Sequence, residues 1–212
     1  MNRFQYRLSV LQANDIKISN LLDIGAYRGD FTRMVRNLWP EVKVWQIEAD
    51  ERQLPFLQPD AMVALLSSKS NQEVDFFTLD NNSSITTGSS MFRELTNYYT
   101  NPLVVKKRTT TLDDLMKRVN FRGNWKNAGM VKMDTQGAEL EILRGSENFI
   151  KTFQPKYFVL ETSVKQYNEG APLVGDIIEH MRQNDYVIQD IMSYMYDNTE
   201  SLLQMDILFA KK

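Results

Sequence analysis

The chain has 212 residues, a formal charge of −2, no cysteine and a single histidine. A near-neutral balance offers no long-range field to nucleic acid or an anionic membrane. The lack of cysteine excludes disulfides, thiolate metal sites and a cysteine nucleophile.

Hydrophobic residues make up 42% and charged residues 25%, the balance of a soluble globular chain with one full core. No run of about 18 apolar residues is present, and residues 1–10 lack the apolar centre of a signal peptide. A single domain over residues 1–212, cytoplasmic, with no nucleic-acid or membrane partner, is expected. His180 alone cannot build a His-rich metal cluster and makes a His-based triad a poor proposition.

Residues 1–19 form a lead-in, in which residues 6–18 read as a helix or turn with Leu8, Leu11 and Ile16 for the sheet edge. The stretch 21–31 is the pivot of the sequence. Asn20–Ile24 reads as a buried strand, then comes a glycine-containing turn and a helix from about Asp30 to Leu38. Gly25 and Gly29 supply a tight turn and a close helix start, and Gly29 or Asp30 can cap that helix. The free N–H groups there would face a nucleotide-like ligand. The spacing is G-x-x-x-G, not the G-x-G-x-x-G of dinucleotide dehydrogenases. Asp23 would repel a pyrophosphate and hold an ammonium or sulfonium, which favours S-adenosyl-L-methionine over NAD. Asp23, Gly25, Ala26, Tyr27 and Gly29 are therefore candidate cofactor contacts.

Trp39-Pro40 ends the helix. Residues 42–47 alternate with period two, and Glu48 stands at the strand end, placed to accept both ribose hydroxyls of an adenosine cofactor. Residues 50–58 predict a short helix interrupted by Pro55. Residues 61–66 are near-continuously apolar, as in a buried parallel strand. The turn after it, residues 67–70, would lie over the adenine, with Leu66 and Ser67 as contacts. Residues 74–79 predict a further strand in a hairpin beside the main sheet. Residues 80–90, rich in Asn, Ser, Thr and Gly, form a loop that serves either as a lid over a polar substrate or as plain surface. Ser89 and Ser90 in it, and Tyr167 in a later loop, are the candidate acceptor contacts.

Residues 91–99 predict a helix, and residues 104–110 an exposed strand whose Lys106, Lys107 and Arg108 form a solvated face. Thr111 caps the next helix, and residues 123–129 read as a loop. A second dense stretch spans residues 130–145: a strand ending in Asp134, a turn at Gly137, then a helix carrying Leu140 and Leu143. Lys132 and Asp134 share a strand face by the period-two rule and could pair. Tyr157-Phe158-Val159-Leu160 predicts a strand ending in Glu161. Three strand-end acids, Glu48, Asp134 and Glu161, then line the crevice where open α/β sheets bind ligands. Residues 167–172 are a loop and residues 173–183 a helix, with His180 expected to be exposed. Residues 186–191 and 205–210 close the chain as an antiparallel hairpin at the sheet edge.

Leu22-Asp23-Ile24-Gly25-Ala26-Tyr27-Arg28-Gly29, Thr111-Leu112-Asp113-Asp114-Leu115 and above all Val131-Lys132-Met133-Asp134-Thr135-Gln136-Gly137-Ala138-Glu139-Leu140-Glu141-Ile142-Leu143-Arg144-Gly145 resemble the FkbM-type S-adenosylmethionine-dependent methyltransferases. The resemblance covers roughly residues 20–191. Gln136 stands where many relatives have Glu. The resemblance implies a Rossmann-like class I methyltransferase fold, α/β, with a mostly parallel sheet and a C-terminal antiparallel hairpin. It also implies O-methylation, with hydroxyls of sugars or of polyketide-type natural products as acceptors.

The acceptor oxygen would attack the sulfonium methyl in line, so the chain must align the two and remove a proton. A carboxylate, Asp134 or Glu161, would be the base. Asp134 could equally orient the cofactor's amino group, with Lys132 holding it ionised. The acids sit on separate strand ends, which favours metal independence. Two other readings stay open: an NAD-dependent oxidoreductase, and a catalytically inactive methyltransferase-like binding protein.

Overall fold

Strands buried on both faces need a layer of helices on each side, and the apolar runs of this chain are met in that way. The computed structural model describes residues 2–80, 87–119 and 121–212. After helix α1 (Arg3–Ala13) come strand β1 (Asn20–Ile24), helix α2 (Asp30–Leu38) and strand β2 (Lys43–Glu48). A 3₁₀ turn (Glu51–Phe56) containing Pro55 leads to the short strands β3 (Met62–Val63) and β4 (Leu65–Leu66). Strands β5 (Glu73–Thr78) and β6 (Leu103–Thr110) precede helices α3 (Leu112–Arg118) and α4 (Trp125–Ala128). Next come strand β7 (Gly129–Met133), helices α5 (Glu139–Arg144) and α6 (Glu147–Phe153), strand β8 (Tyr157–Ser163) and helix α7 (Val174–Gln183). The long strands β9 (Tyr186–Tyr196) and β10 (Leu202–Lys211) finish the chain.

The main sheet runs β3-β2-β1-β7-β8-β10-β9. Neighbours are parallel from β3 to β8, and β10 is antiparallel to both β8 and β9. This is the class I methyltransferase arrangement, with the expected C-terminal hairpin. Chain order reverses between β1 and β7, which opens a crevice at their carboxyl ends. Alternate residues of each strand feed two cores. Leu22, Ile24, Val131, Met133, Phe158 and Leu160 face the layer of α3 to α7. Leu21, Val44, Met130, Val159 and Leu208 face α1 and α2, where Leu8 and Leu11 are buried. A one-residue slip of β1 would exchange its two faces, so the register is strongly specified.

Several expectations change. Residues 61–66 are not one strand. Met62–Val63 pairs with β2, whereas Leu65–Leu66 crosses to a three-stranded sheet, β4-β6-β5. Residues 91–99 form no helix beyond the 3₁₀ turn Asn97–Tyr99. Their backbone instead pairs with the 167–169 segment: Leu95 N donates to Tyr167 O and Glu169 N to Arg93 O. Within residues 123–129, α4 forms because Trp125 is buried in the aromatic group of Phe121 and Phe149. Glu161 does not end its strand; β8 continues to Ser163 because β10 pairs along it. His180 is half-buried rather than exposed. Lys106 pairs with Asp75 on the surface, as a solvated face would, but Lys107 turns inward: its side chain is 17% exposed and its Nζ donates to Ala49 O at 2.6 Å and to Glu51. Of the expected lid, residues 81–86 lie outside the described residues.

Candidate active site

The turn after β1 is fixed from two sides. Gly25 has φ +71°, and a Cβ there would run into the carbonyl oxygen of Asp134. Asp134 N donates to Ile24 O at 3.1 Å, so the glycine is required by the joint between β1 and β7 as much as by any ligand. Gly25 N and Ala26 N both donate to Ile47 O, and Tyr27 N donates to Glu48 Oε2 at 2.7 Å. The other Glu48 oxygen accepts Asp50 N at 2.9 Å. Glu48 is 8% exposed. Burial pushes its carboxyl above the ordinary range, opposed by the Asp50 and Tyr27 N–H groups. At the helix start, Gly29 takes the cap position at φ +76° with no side-chain cap.

A cavity of about 320 Å³ opens over this turn. Ile24, Gly25, Tyr27, Glu48, Asp50 and Gln53 line one part, and Ala64, Leu65, Leu66, Phe76 and Ile142 make an apolar slot. Ser89, Ser90, Asp134, Gln136 and Glu161 close the other end. Among the predicted cofactor contacts, Gly25, Tyr27, Glu48, Leu66 and Asp134 line this cavity. Asp23 and Ala26 line a second one instead, and Gly29 and Ser67 line neither. The carbonyl of Ser67 packs where a Cβ on Gly145 would sit, which explains the glycine ending that motif.

Asp134 is the hub of the charged groups. Lys132 Nζ donates to its Oδ2 at 2.8 Å, confirming the pairing expected from the strand period. The Gln136 side-chain amide donates to Asp134 Oδ1 at 2.9 Å and to Glu161 Oε2 at 2.7 Å, so one amide joins both acids. Gln136 sits at φ +55°, which aims that amide back at the strand ends. Burial alone would raise the Asp134 carboxyl, but the Lys132 ammonium and these hydrogen bonds hold it below the usual range. Burial pushes Glu161 well up, and the Asp134 and Asp206 charges add to that. Burial would lower the Lys132 ammonium, yet Asp134, Asp23 and Asp206 around it hold it above its ordinary value. The two acids are thus shifted in opposite directions, Asp134 toward its ionised form and Glu161 toward its protonated one.

Glu139, 2% exposed, accepts from Thr135 N, Thr135 Oγ1 and Gly137 N, and thereby shapes the turn that carries Gln136. Ser89 lines the cavity and its Oγ lies 2.8 Å from Thr78 Oγ1. Ser90 is buried, donating to the Gln136 carbonyl at 2.9 Å. Tyr167 lies outside the cavity lining and donates to Glu94 at 3.3 Å. Sequence reasoning missed Asp50, Gln53 and Phe76 on the cavity wall, and Asp206. Asp50 carried a readable signal, an acid two residues past Glu48. Asp206 carried none, because only the antiparallel register with β8 sets it opposite Glu161. Among the described residues no group of three or more His, Asp or Glu side chains is placed to hold a metal ion, and no helix is long and apolar enough to cross a membrane.

No curated protein matches the chain in sequence. Among solved structures it is similar to a methyltransferase FkbM from Methylobacillus flagellatus KT, at TM-score 0.51 and 15% identity. That match covers 91% of this chain and only 43% of the other, so the chain spans less than half of that protein. It is also similar to Aeropyrum pernix fibrillarin, a structure with natively bound S-adenosyl-L-methionine, at TM-score 0.52 and 9% identity over 99% of this chain and 76% of that one. A further match is an S-adenosylmethionine-dependent methyltransferase from Clostridium acetobutylicum, at TM-score 0.50 and 9% identity over 99% and 91%. At these identities the likeness is one of fold. The family model for the methyltransferase FkbM domain matches residues 23–188, most of the sequence, and the chain belongs to that family.

Proposed function

We propose that this chain binds S-adenosyl-L-methionine in the first cavity and acts as an O-methyltransferase on a hydroxyl of a saccharide or another small polar acceptor. The lining suits the cofactor. Glu48 uses one lone pair of each oxygen on Tyr27 N and Asp50 N, and a carboxylate has about four such sites, which leaves acceptors for ribose hydroxyls. Leu65, Leu66, Phe76 and Ile142 would flank the adenine, and Gly25, Tyr27 and Asp134 the amino-acid end. When bound, S-adenosylmethionine supplies a sulfonium methyl that an acceptor oxygen takes as the carbon–sulfur bond breaks.

The chain's part is to hold the acceptor and accept its proton. The observation that carries this reading is geometric: Asp134 lines both cavities, is salt-bridged to Lys132 at 2.8 Å and is joined to Glu161 through the Gln136 amide, so a carboxylate stands where an acceptor hydroxyl and the cofactor would meet. Asp134 is accordingly the base, and Lys132 and Gln136 position it. The test incubates the protein with S-adenosylmethionine and a panel of nucleotide sugars and reducing-end glycans, read by mass spectrometry. A methyl group on an acceptor hydroxyl is expected. Asp134→Asn should slow turnover about a hundred- to ten-thousandfold at saturating cofactor. Full turnover in that variant would contradict the assignment of the base.

A further inference from the structure

A second cavity, of about 480 Å³, lies against the first and shares Gly25, Tyr27 and Asp134 with it. Its floor carries Asp23, Lys132 and Asp206, from three strands of the main sheet. Its walls are Phe4, Phe31, Met34 and Tyr194, with Arg3 and Asp30 at the rim. Four carboxylates thus face two cations.

The partners of these groups show what is missing. Lys132 is committed to Asp134 at 2.8 Å. Asp206 accepts from Ser193. Asp23 is wholly buried; one oxygen accepts Thr32 Oγ1 at 2.6 Å and the other, Oδ1, has no hydrogen-bond partner among the described residues. A buried carboxylate oxygen without a donor is costly, and native proteins rarely leave one so. The cavity therefore offers spare acceptors and apolar walls.

We infer that this second cavity is the acceptor subsite, and that it takes a hydroxyl-rich, uncharged small molecule of the sugar class. The inference rests on the methyltransferase reading above. Hydroxyls donate to Asp23 Oδ1 and Asp206, while Phe4, Phe31 and Tyr194 cover the less polar ring faces. Asp134, common to both cavities, then stands between the acceptor and the cofactor. A cation would also satisfy the acids, but the Lys132 ammonium already stands among Asp23, Asp134 and Asp206.

The test is ligand-observed saturation-transfer NMR on the S-adenosylhomocysteine-loaded protein. The probes are a mixture of methyl α-glucopyranoside, methyl α-mannopyranoside and methyl α-galactopyranoside, with tetramethylammonium as the cationic control. Transfer to at least one glycoside and none to tetramethylammonium is expected. Met34→Trp should fill the cavity and abolish that transfer, with S-adenosylhomocysteine affinity changed by no more than about twofold. If a melting curve shows that the Trp variant is misfolded, Asp206→Asn carries the test, with at least a tenfold weaker glycoside response, roughly the loss expected for a charged hydrogen-bond acceptor. Cofactor-product binding without any glycoside signal, a signal that survives the substitutions, or a signal from tetramethylammonium alone would overturn the acceptor assignment. Loss of S-adenosylhomocysteine affinity in Met34→Trp would overturn it too, giving the cavity to the cofactor's amino-acid end. Failure of the wild type to bind S-adenosylhomocysteine would sink the methyltransferase reading itself.

Discussion

Single side chains here do two jobs, and Glu139 is the plainest case. It braces the turn beneath Gln136 through three donors, yet its carboxyl is pushed up to about 7 by burial. The folded state therefore holds its proton more tightly than the unfolded chain, whose ordinary value is 4.5. The stability tied to this group is full below pH 4.5 and is lost as pH rises through 7. Glu139→Gln, which cannot ionise, should gain on wild type by on the order of 1–3 kcal/mol between pH 5 and pH 8. Urea unfolding of both proteins across that range checks it, and parallel curves would contradict it. At this scale the residues of the central turn and the Lys132–Asp134 pair were legible, because strand period and glycine spacing fix them locally. The role of Gln136 as the bridge between two acids was not, since it depends on a positive φ and on β8 lying alongside. Gly25 was legible for an incomplete reason: its missing side chain also spares the backbone of Asp134, so enlarging it tests the fold along with the ligand site.

Among the elements, α3 shows a family motif that works mechanically. Thr111 caps the helix by accepting Asp114 N at 3.0 Å, as the sequence predicts. Asp113, from the first turn, reaches across to accept Asn148 N at 2.9 Å and Phe149 N at 2.7 Å, and so caps α6 from outside it. Asp113→Ala should cost about 1–2 kcal/mol in unfolding free energy and leave S-adenosylhomocysteine binding unchanged. Paired denaturation and calorimetry separate the two effects; lost binding with intact stability would move the motif into the site. Strands β1, β2, β7 and β8 and helix α2 were readable because long periodic segments dominate their own neighbourhood. The 91–99 segment was not, because its backbone groups go to the 167–169 loop, a partner some 70 residues away. Nor was the break within residues 61–66, where an apolar run is shared between two sheets.

For the whole molecule, the order β3-β2-β1-β7-β8-β10-β9 places the reversal between β1 and β7, and the acids that line the two cavities collect around it. Glu48 comes from one side of the reversal, Asp134 and Glu161 from the other, and the closing hairpin contributes Asp206. The central claim is that an adenosine cofactor lies in the crevice between Glu48 and Asp134. Calorimetric titration with S-adenosylhomocysteine and with NAD tests it most directly, using wild type and Glu48→Ala. Wild type should bind S-adenosylhomocysteine and not NAD. Glu48→Ala should weaken binding roughly ten- to a hundredfold, the worth of charge-assisted hydrogen bonds to ribose, with part of that loss coming from the freed Tyr27 and Asp50 N–H groups. Unchanged affinity in a folded Glu48→Ala, or tighter binding of NAD than of S-adenosylhomocysteine by wild type, would contradict the account.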